Sequence, residues 1–243
     1  MRVLVLEHCA QEPAGTYCDV LREQRIPVDA LALHRDGAVP DWRPYDGILA
    51  MGGPMGACDD AAHRWLAPEK RLIREAVAGG RAFLGVCLGA QLLAASFGAR
   101  VWTGPQPEIG VTTVQRTLDG ETDPLFAAAG EELHVLQWHA DTFDLPRGAT
   151  RLWTAARYAN QAYRVGPLAY GLQFHLEAPA DLVRDWGTVP DYRSAVERVG
   201  GAGAFERLLL DVERHEDAMA GHARRTLERW IACGARRAAY SRR

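Results

Sequence analysis

At 243 residues, 48% of them hydrophobic and 24% charged, the chain holds enough apolar material for one large core or a core with an appendage. A formal net charge of -3 excludes the basic excess expected of a nucleic-acid partner, and the pairs Arg224-Arg225, Arg236-Arg237 and Arg242-Arg243 read as a solvated helix face and tail. Five cysteines, at 9, 18, 58, 87 and 233, are odd in number and form no C-x-x-C, which argues against both a disulfide framework and a zinc knuckle.

In chain order, Val3 to Leu6 is a short apolar run of the kind that makes a strand buried on both faces. It is too short for a signal-peptide core, and no stretch approaches the roughly 20 apolar residues of a membrane span, so a cytoplasmic chain with no membrane partner is expected. Residues 14–25 carry helical spacing at Tyr17, Val20 and Leu21, and Val28 to Leu33 reads as a second strand. Gly47 to Met51 is a third strand, ending in Gly52-Gly53-Pro54. Residues 63–78 read as a helix, Ala82 to Val86 as a strand, and Leu88 to Phe97 as a helix closed by Gly98. This alternation predicts a mainly parallel sheet covered on both sides.

From about Arg100 the rhythm changes. Val111 to Gln115, Leu133 to Trp138, Thr150 to Thr154, Gln161 to Val165 and Ala169 to Phe174 are strand-like with few helices between them. Gly166-Pro167 reads as a hairpin turn, so antiparallel strands are expected on one side of the sheet. After Pro179 the pattern is helical, with apolar stripes at Phe205, Leu208, Leu209 and Val212 and at Leu227, Trp230 and Ile231. These stripes are too rich for a solvated tail; packing on the main domain is expected, with a homodimer contact as the alternative.

Three stretches carry chemistry. In Phe83-Leu84-Gly85-Val86-Cys87-Leu88-Gly89-Ala90-Gln91 an apolar strand runs into a cysteine flanked by glycines at minus two and plus two, then into a helix. This is the thiol counterpart of the G-x-S-x-G nucleophile turn, and the helix N-terminus favours the reactive thiolate. Gly171-Leu172-Gln173-Phe174-His175-Leu176-Glu177 ends a strand with an imidazole that can move a proton and a carboxylate that can hold its tautomer. Gly52-Gly53-Pro54-Met55-Gly56 follows a strand and has the small residues that let backbone N–H groups approach a ligand. It lacks the Lys-Ser/Thr of a phosphate-binding loop.

Together, and in this order, the three resemble class I glutamine amidotransferases over about residues 1 to 187, most closely the glutaminase domain of GMP synthase and its free-standing relatives. Gln137-Trp138-His139-Ala140-Asp141 resembles the family's loop for the substrate's α-amino and α-carboxyl ends, and Asn160-Gln161-Ala162-Tyr163 the stretch before the triad strand. The resemblance implies a three-layer α/β sandwich with a mixed, mainly parallel, flavodoxin-like central sheet at 1–187, and a helical extension at 188–243 packed on the same domain. It implies Cys87 as nucleophile, His175 as base and acid, and Glu177 as orienter. Backbone N–H groups of Gly53 and Leu88 would form the oxyanion hole; Gln91 and the backbone of Trp138, Ala140 and Asp141 would bind substrate. Leu176 stands where the family commonly has proline, which relaxes the backbone but removes no catalytic group. His139 lies in the pocket loop as a further candidate for substrate contact.

The expected substrate is a small γ-glutamyl amide, either glutamine or a γ-glutamyl compound, with no cofactor and no metal. Residues after 187 carry no ATP-binding loop, so the ammonia acceptor is open. A self-sufficient γ-glutamyl hydrolase, a glutaminase subunit serving a separate synthase such as a GMP synthase, and a non-catalytic binding protein are the three readings.

Overall fold

The computed structural model describes residues 1–241, and side chains through Arg236. Its first half alternates β1 (Val3–Glu7), α1 (Gly15–Glu23), β2 (Val28–Ala32), α2 (Leu33–Asp36), β3 (Gly47–Ala50), α3 (Leu66–Ala78), β4 (Ala82–Val86) and α4 (Leu88–Ser96). The second half runs β5 (Val101–Arg116), α5 (Leu118–Thr122), β6 (Glu132–Phe143), β7 (Thr150–Thr154), β8 (Ala162–Val165) and β9 (Ala169–Leu172). Helices α6 (Ala180–Trp186), α7 (Pro190–Gly200) and α8 (Ala204–Ser241) follow.

The strands form one sheet in the order β2-β1-β3-β4-β9-β8-β7-β5-β6. Pairing from β2 through β4 to β9 is parallel, and from β9 outward to β6 it is antiparallel. This is the mixed sheet expected, with the antiparallel strands added on one side. Strands β1, β3, β4 and β9 are buried on both faces and edge strand β2 is largely exposed, and in the buried strands the period of two divides the core. Val3, Val5, Leu84 and Val86 join one cluster with residues of α1 and α8, while Leu4, Leu6, Ile48 and Phe83 join the other with residues of α3 and α4.

Helix α8 is part of this core. Phe205, Leu208, Val212, Met219, Ala223, Leu227, Trp230 and Ile231 are buried along one side of it, at spacings of three, four and seven residues. It touches α1, α6, α7, β4, β5 and β6. At its far end Trp230 leaves so little room that a Cβ on Gly47, at the start of β3, would meet its ring at 2.7 Å.

Strand β5 begins ten residues before its expected start. Gly104-Pro105-Gln106-Pro107 hides the alternation: the prolines cannot donate to a ladder, and the β5–β6 register shifts between Thr103 and Glu108. Among the described residues no helix is long and apolar enough to cross a membrane.

Candidate functional site

The turn from β4 into α4 needs its glycines. A Cβ on Gly85 would collide with the backbone of Gly89, and one on Gly89 would collide with the Ala50 carbonyl of β3. The backbone of Cys87 is held at φ 51, ψ -105, in a region that L-residues seldom adopt. Its N–H donates to the Leu172 carbonyl at 2.8 Å, which fixes the turn to the end of β9. The thiol is thereby lifted over the first turn of α4, where the Leu88 N–H has no intrahelical acceptor.

Beyond β9 the chain bridges to β6: His175 N–H donates to the Leu136 carbonyl at 2.8 Å, and Leu136 N–H to the His175 carbonyl at 3.1 Å. The bridge sets His175 beside the part of β6 after Leu136, so the segment 137–141 expected as a pocket loop is strand, paired to β5. His175 Nδ1 lies 2.7 Å from Glu177 Oε1, and Glu177 Oε2 accepts from the Leu176 N–H at 3.0 Å. The Cys87 thiol lies 3.8 Å from the Trp138 carbonyl, and Gln173 Nε2 approaches the sulfur at 3.8 Å. Cys87, His175 and Glu177 are therefore brought together, and all three are buried.

Burial raises the Cys87 thiol above its usual range, offset in part by His175. Burial also opposes charge on His175, yet Glu177 and the thiol outweigh it and hold the imidazole well above its ordinary value. A strong, oriented base next to a desolvated thiol is a proton-transfer pair.

The thiol opens into a cavity of about 410 Å³. Gly53, Gln91, Trp138, Ala140 and Asp141 all line it. Gln91 Nε2 donates to the Asp141 carbonyl at 3.2 Å and to Gln173 Oε1 at 3.3 Å, so this side chain ties α4 to β6. His139 reaches the lining, but its ring is engaged on both sides, with Asp141 O at 2.9 Å and Glu108 Oε2 at 3.2 Å. These contacts tie β6 to Glu108 of β5.

Below the Gly52-Gly53 loop lies a buried ionic contact that the motifs did not reveal. His8 Nδ1 faces the carbonyls of Met51 and Gly52 at 3.0 and 3.2 Å, and Nε2 faces Glu69 Oε1 at 2.9 Å. The two carbonyls call for a proton on Nδ1, and a carboxylate at Glu69 favours a second on Nε2, which makes the ring cationic. Burial opposes that charge, and Glu69 with the two carbonyls raises the imidazole above its usual value nonetheless.

Three more residues of the site had no motif to mark them. Glu12, in the loop after β1, is buried beside the cavity, and its Oε1 accepts from the Tyr192 hydroxyl of α7 at 2.7 Å. Burial raises its carboxyl above the usual range, opposed by His175 and by the Tyr192 bond. Trp186 of α6 packs edge-on to His175 with ring centroids 5.2 Å apart, and edge-on to Trp138 at 5.3 Å. Its Nε1 donates to the Gln11 carbonyl at 2.6 Å. From α7, Asp191, Tyr192, Ala195 and Arg198 complete the cavity wall. The described residues contain no group of three or more His, Cys, Asp or Glu side chains placed to hold a metal ion.

Comparison with known proteins places the chain in a family. The family described as glutamine amidotransferase class-I matches residues 17–182. The glutamine amidotransferase-like protein YfeJ of Salmonella typhimurium is 30% identical over 187 residues, covering 75% of this chain and 78% of that protein. A glutamine amidotransferase crystal structure from Thermotoga maritima superposes with a TM-score of 0.85 at 35% identity, covering 95% of this chain and 98% of that one. A GMP synthase of Thermus thermophilus is 28% identical over 89% of this chain, which spans only 44% of that enzyme's length.

Proposed function

Because the chain belongs to the class-I glutamine amidotransferase family, we propose that it is a cysteine hydrolase of γ-glutamyl amides that works on its own and releases an amine larger than ammonia. Cys87 Sγ attacks the γ-carbonyl as His175 takes the thiol proton. The backbone N–H groups of Gly53 and Leu88 hold the oxyanion. The C–N bond then breaks, its electron pair stays on nitrogen, and His175 supplies the proton. The γ-glutamyl thioester left on Cys87 is hydrolysed by a water that His175 activates. Glu177 keeps the imidazole in the tautomer this requires, as its 2.7 Å contact with Nδ1 suits. Gln91 and the backbone of Trp138, Ala140 and Asp141 bind the glutamyl end. The thiol, imidazole and backbone donors suffice for every step, so no cofactor enters.

The observation that carries this reading is the wall contributed by α7. Asp191, Tyr192, Ala195 and Arg198 of the chain itself enclose a cavity of about 410 Å³ around Cys87. That volume lies in the range of small-molecule sites, about 300–1,000 Å³, and leaves room beyond the glutamyl unit. The test is steady-state kinetics of the purified protein on glutamine and on several γ-glutamyl amides and peptides. A preference of about tenfold or more in kcat/KM for the larger leaving groups supports the proposal.

A second reading, a glutaminase subunit serving a separate synthase, draws support from the GMP synthase relatives. It wins if the protein alone turns over no γ-glutamyl compound and gains glutaminase activity when a synthase is added.

A further inference from the structure

Glu12 is only 7% exposed, and one of its two oxygens has no partner. Oε1 accepts from Tyr192, but no donor among the described residues reaches Oε2. Oε2 opens onto the cavity, where a bound molecule can supply its donor. Its position says what that is. A Cβ on Gly52 would collide with Glu12 Oε2 and would lie 3.2 Å from His175 Cε1. Oε2 and the edge of the imidazole therefore border the same small space above Gly52, beside the loop that carries the Gly53 N–H.

His175 Nδ1 is committed to Glu177, which leaves Nε2 to face the reacting atoms. With the carbonyl carbon on Cys87 Sγ and its oxygen at Gly53 and Leu88, the departing nitrogen must lie against Nε2, next to Cε1. Its lone pair is directed at the proton on Nε2, so its own N–H points elsewhere. Glu12 Oε2 is the acceptor on that side.

We propose that Glu12 Oε2 accepts a hydrogen bond from the N–H of the scissile amide, with Tyr192 holding the carboxylate in place, so that the site selects amides over esters. The inference rests on the γ-glutamyl hydrolase reading above. As the C–N bond breaks, the nitrogen gains its proton from His175 and Glu12 takes none. Its negative charge favours the nitrogen as that atom becomes more basic and more positive. An ester oxygen has no hydrogen to offer and presents a lone pair to the carboxylate instead. The substrate class is thus γ-glutamyl amides of ammonia or of primary amines, whose amide nitrogen keeps at least one hydrogen.

The experiment compares kcat/KM for γ-glutamyl methylamide and for the γ-methyl ester of glutamate, which differ in one atom at the leaving position. It is run on the parent, Glu12→Met, Glu12→Ala and Tyr192→Phe. The amide-to-ester ratio should fall about tenfold or more in both Glu12 variants and by less, in the same direction, in Tyr192→Phe. Ratios within twofold of the parent in the Glu12 variants overturn the inference while leaving the hydrolase reading in place. A parent that turns over neither compound overturns both. Should the Glu12 variants fail to fold, the parent alone decides: it should prefer the methylamide over the γ-dimethylamide, which has no N–H, by about tenfold or more. Equal rates on those two overturn the inference.

Discussion

Glu177 makes two hydrogen bonds that a glutamine cannot both reproduce. One oxygen faces His175 Nδ1 at 2.7 Å and the other accepts from the Leu176 N–H at 3.0 Å. A carboxylate accepts on both sides, whereas an amide accepts on one and donates on the other. In Glu177→Gln, an amide oxygen turned to Leu176 sets its NH₂ group against Nδ1 and moves the imidazole proton to Nε2, where a base is needed. An amide oxygen turned to Nδ1 leaves the Leu176 N–H facing a donor. Either way the charge opposite the imidazolium is lost. Both side chains are 2% exposed, so water screens the pair little. Unit charges about 4 Å apart interact by about 4 kcal/mol at an effective dielectric of about 20. Relief of burial returns part of that, and a net loss of about 2–3 kcal/mol corresponds to a fall in kcat/KM of about 30- to 150-fold. The pH profile gives the sign. Burial opposes charge on His175, but Glu177 and the thiol raise its folded value well above the ordinary one. His175 must be unprotonated to take the thiol proton, so the acidic limb of kcat/KM should move to lower pH in the variant. By linkage, the stability from this pair is fully present below the unfolded value of about 6.5 and is lost as pH rises through the folded value. The assay is kcat/KM against pH on a γ-glutamyl amide, with denaturant melts at the same pH values. Activity within threefold of the parent, with an unmoved acidic limb, would mean that another group orients His175.

Other perturbations test the rest of the site and its support. Cys87→Ala keeps the turn but removes the nucleophile, so turnover should fall by several orders of magnitude with an unchanged far-ultraviolet spectrum; activity within threefold of the parent would end the nucleophile assignment. Glu69→Gln leaves the His8 imidazolium buried without its counter-charge beneath the Gly52-Gly53 loop, and should cost about 3–5 kcal/mol of stability. Because the folded value of His8 is raised, with Glu69 overcoming burial, that cost should be greatest below about pH 6.5 and shrink as pH rises through the folded value. Equal losses at pH 5.5 and 9 in urea melts would refute an ionic role. Trp230→Ala, at a fully buried position of α8, should cost about 3–5 kcal/mol. A loss under about 1 kcal/mol would mean that α8 is not part of the main core.

What could be read from the sequence was what neighbouring residues enforce on each other. Strands β1, β3 and β4 were legible because each is an apolar run, and a run buried on both faces needs no partner to be recognised. The Cys87 turn was legible for the same reason. Gly85 is small because a Cβ there would collide with Gly89 four residues on, and the strain at Cys87 is set by its own dihedrals, although the room Gly89 needs is set by Ala50 of β3. The start of β5 was not legible, since two prolines and a register shift break the period on which recognition depends.

Glu12, Trp186 and Tyr192 form a different case. Glu12 and Tyr192 are hydrogen-bonded across a sequence separation of 180 residues, and the Trp186 indole reaches Gln11 across 175. No local spacing encodes such contacts; they exist only once α6 and α7 fold back over the loop after β1. The division has a chemical consequence. The candidate catalytic residues lie in short motifs at the ends of β3, β4 and β9, whereas another wall of the cavity, the leaving-group side in the proposed reaction, is assembled from α7 and that loop. Changes in α7 can therefore reshape the leaving-group side without disturbing the turn that presents Cys87. Selectivity among γ-glutamyl compounds should accordingly respond to Tyr192 and Arg198, and the rate of thioester hydrolysis, common to all of them, should not.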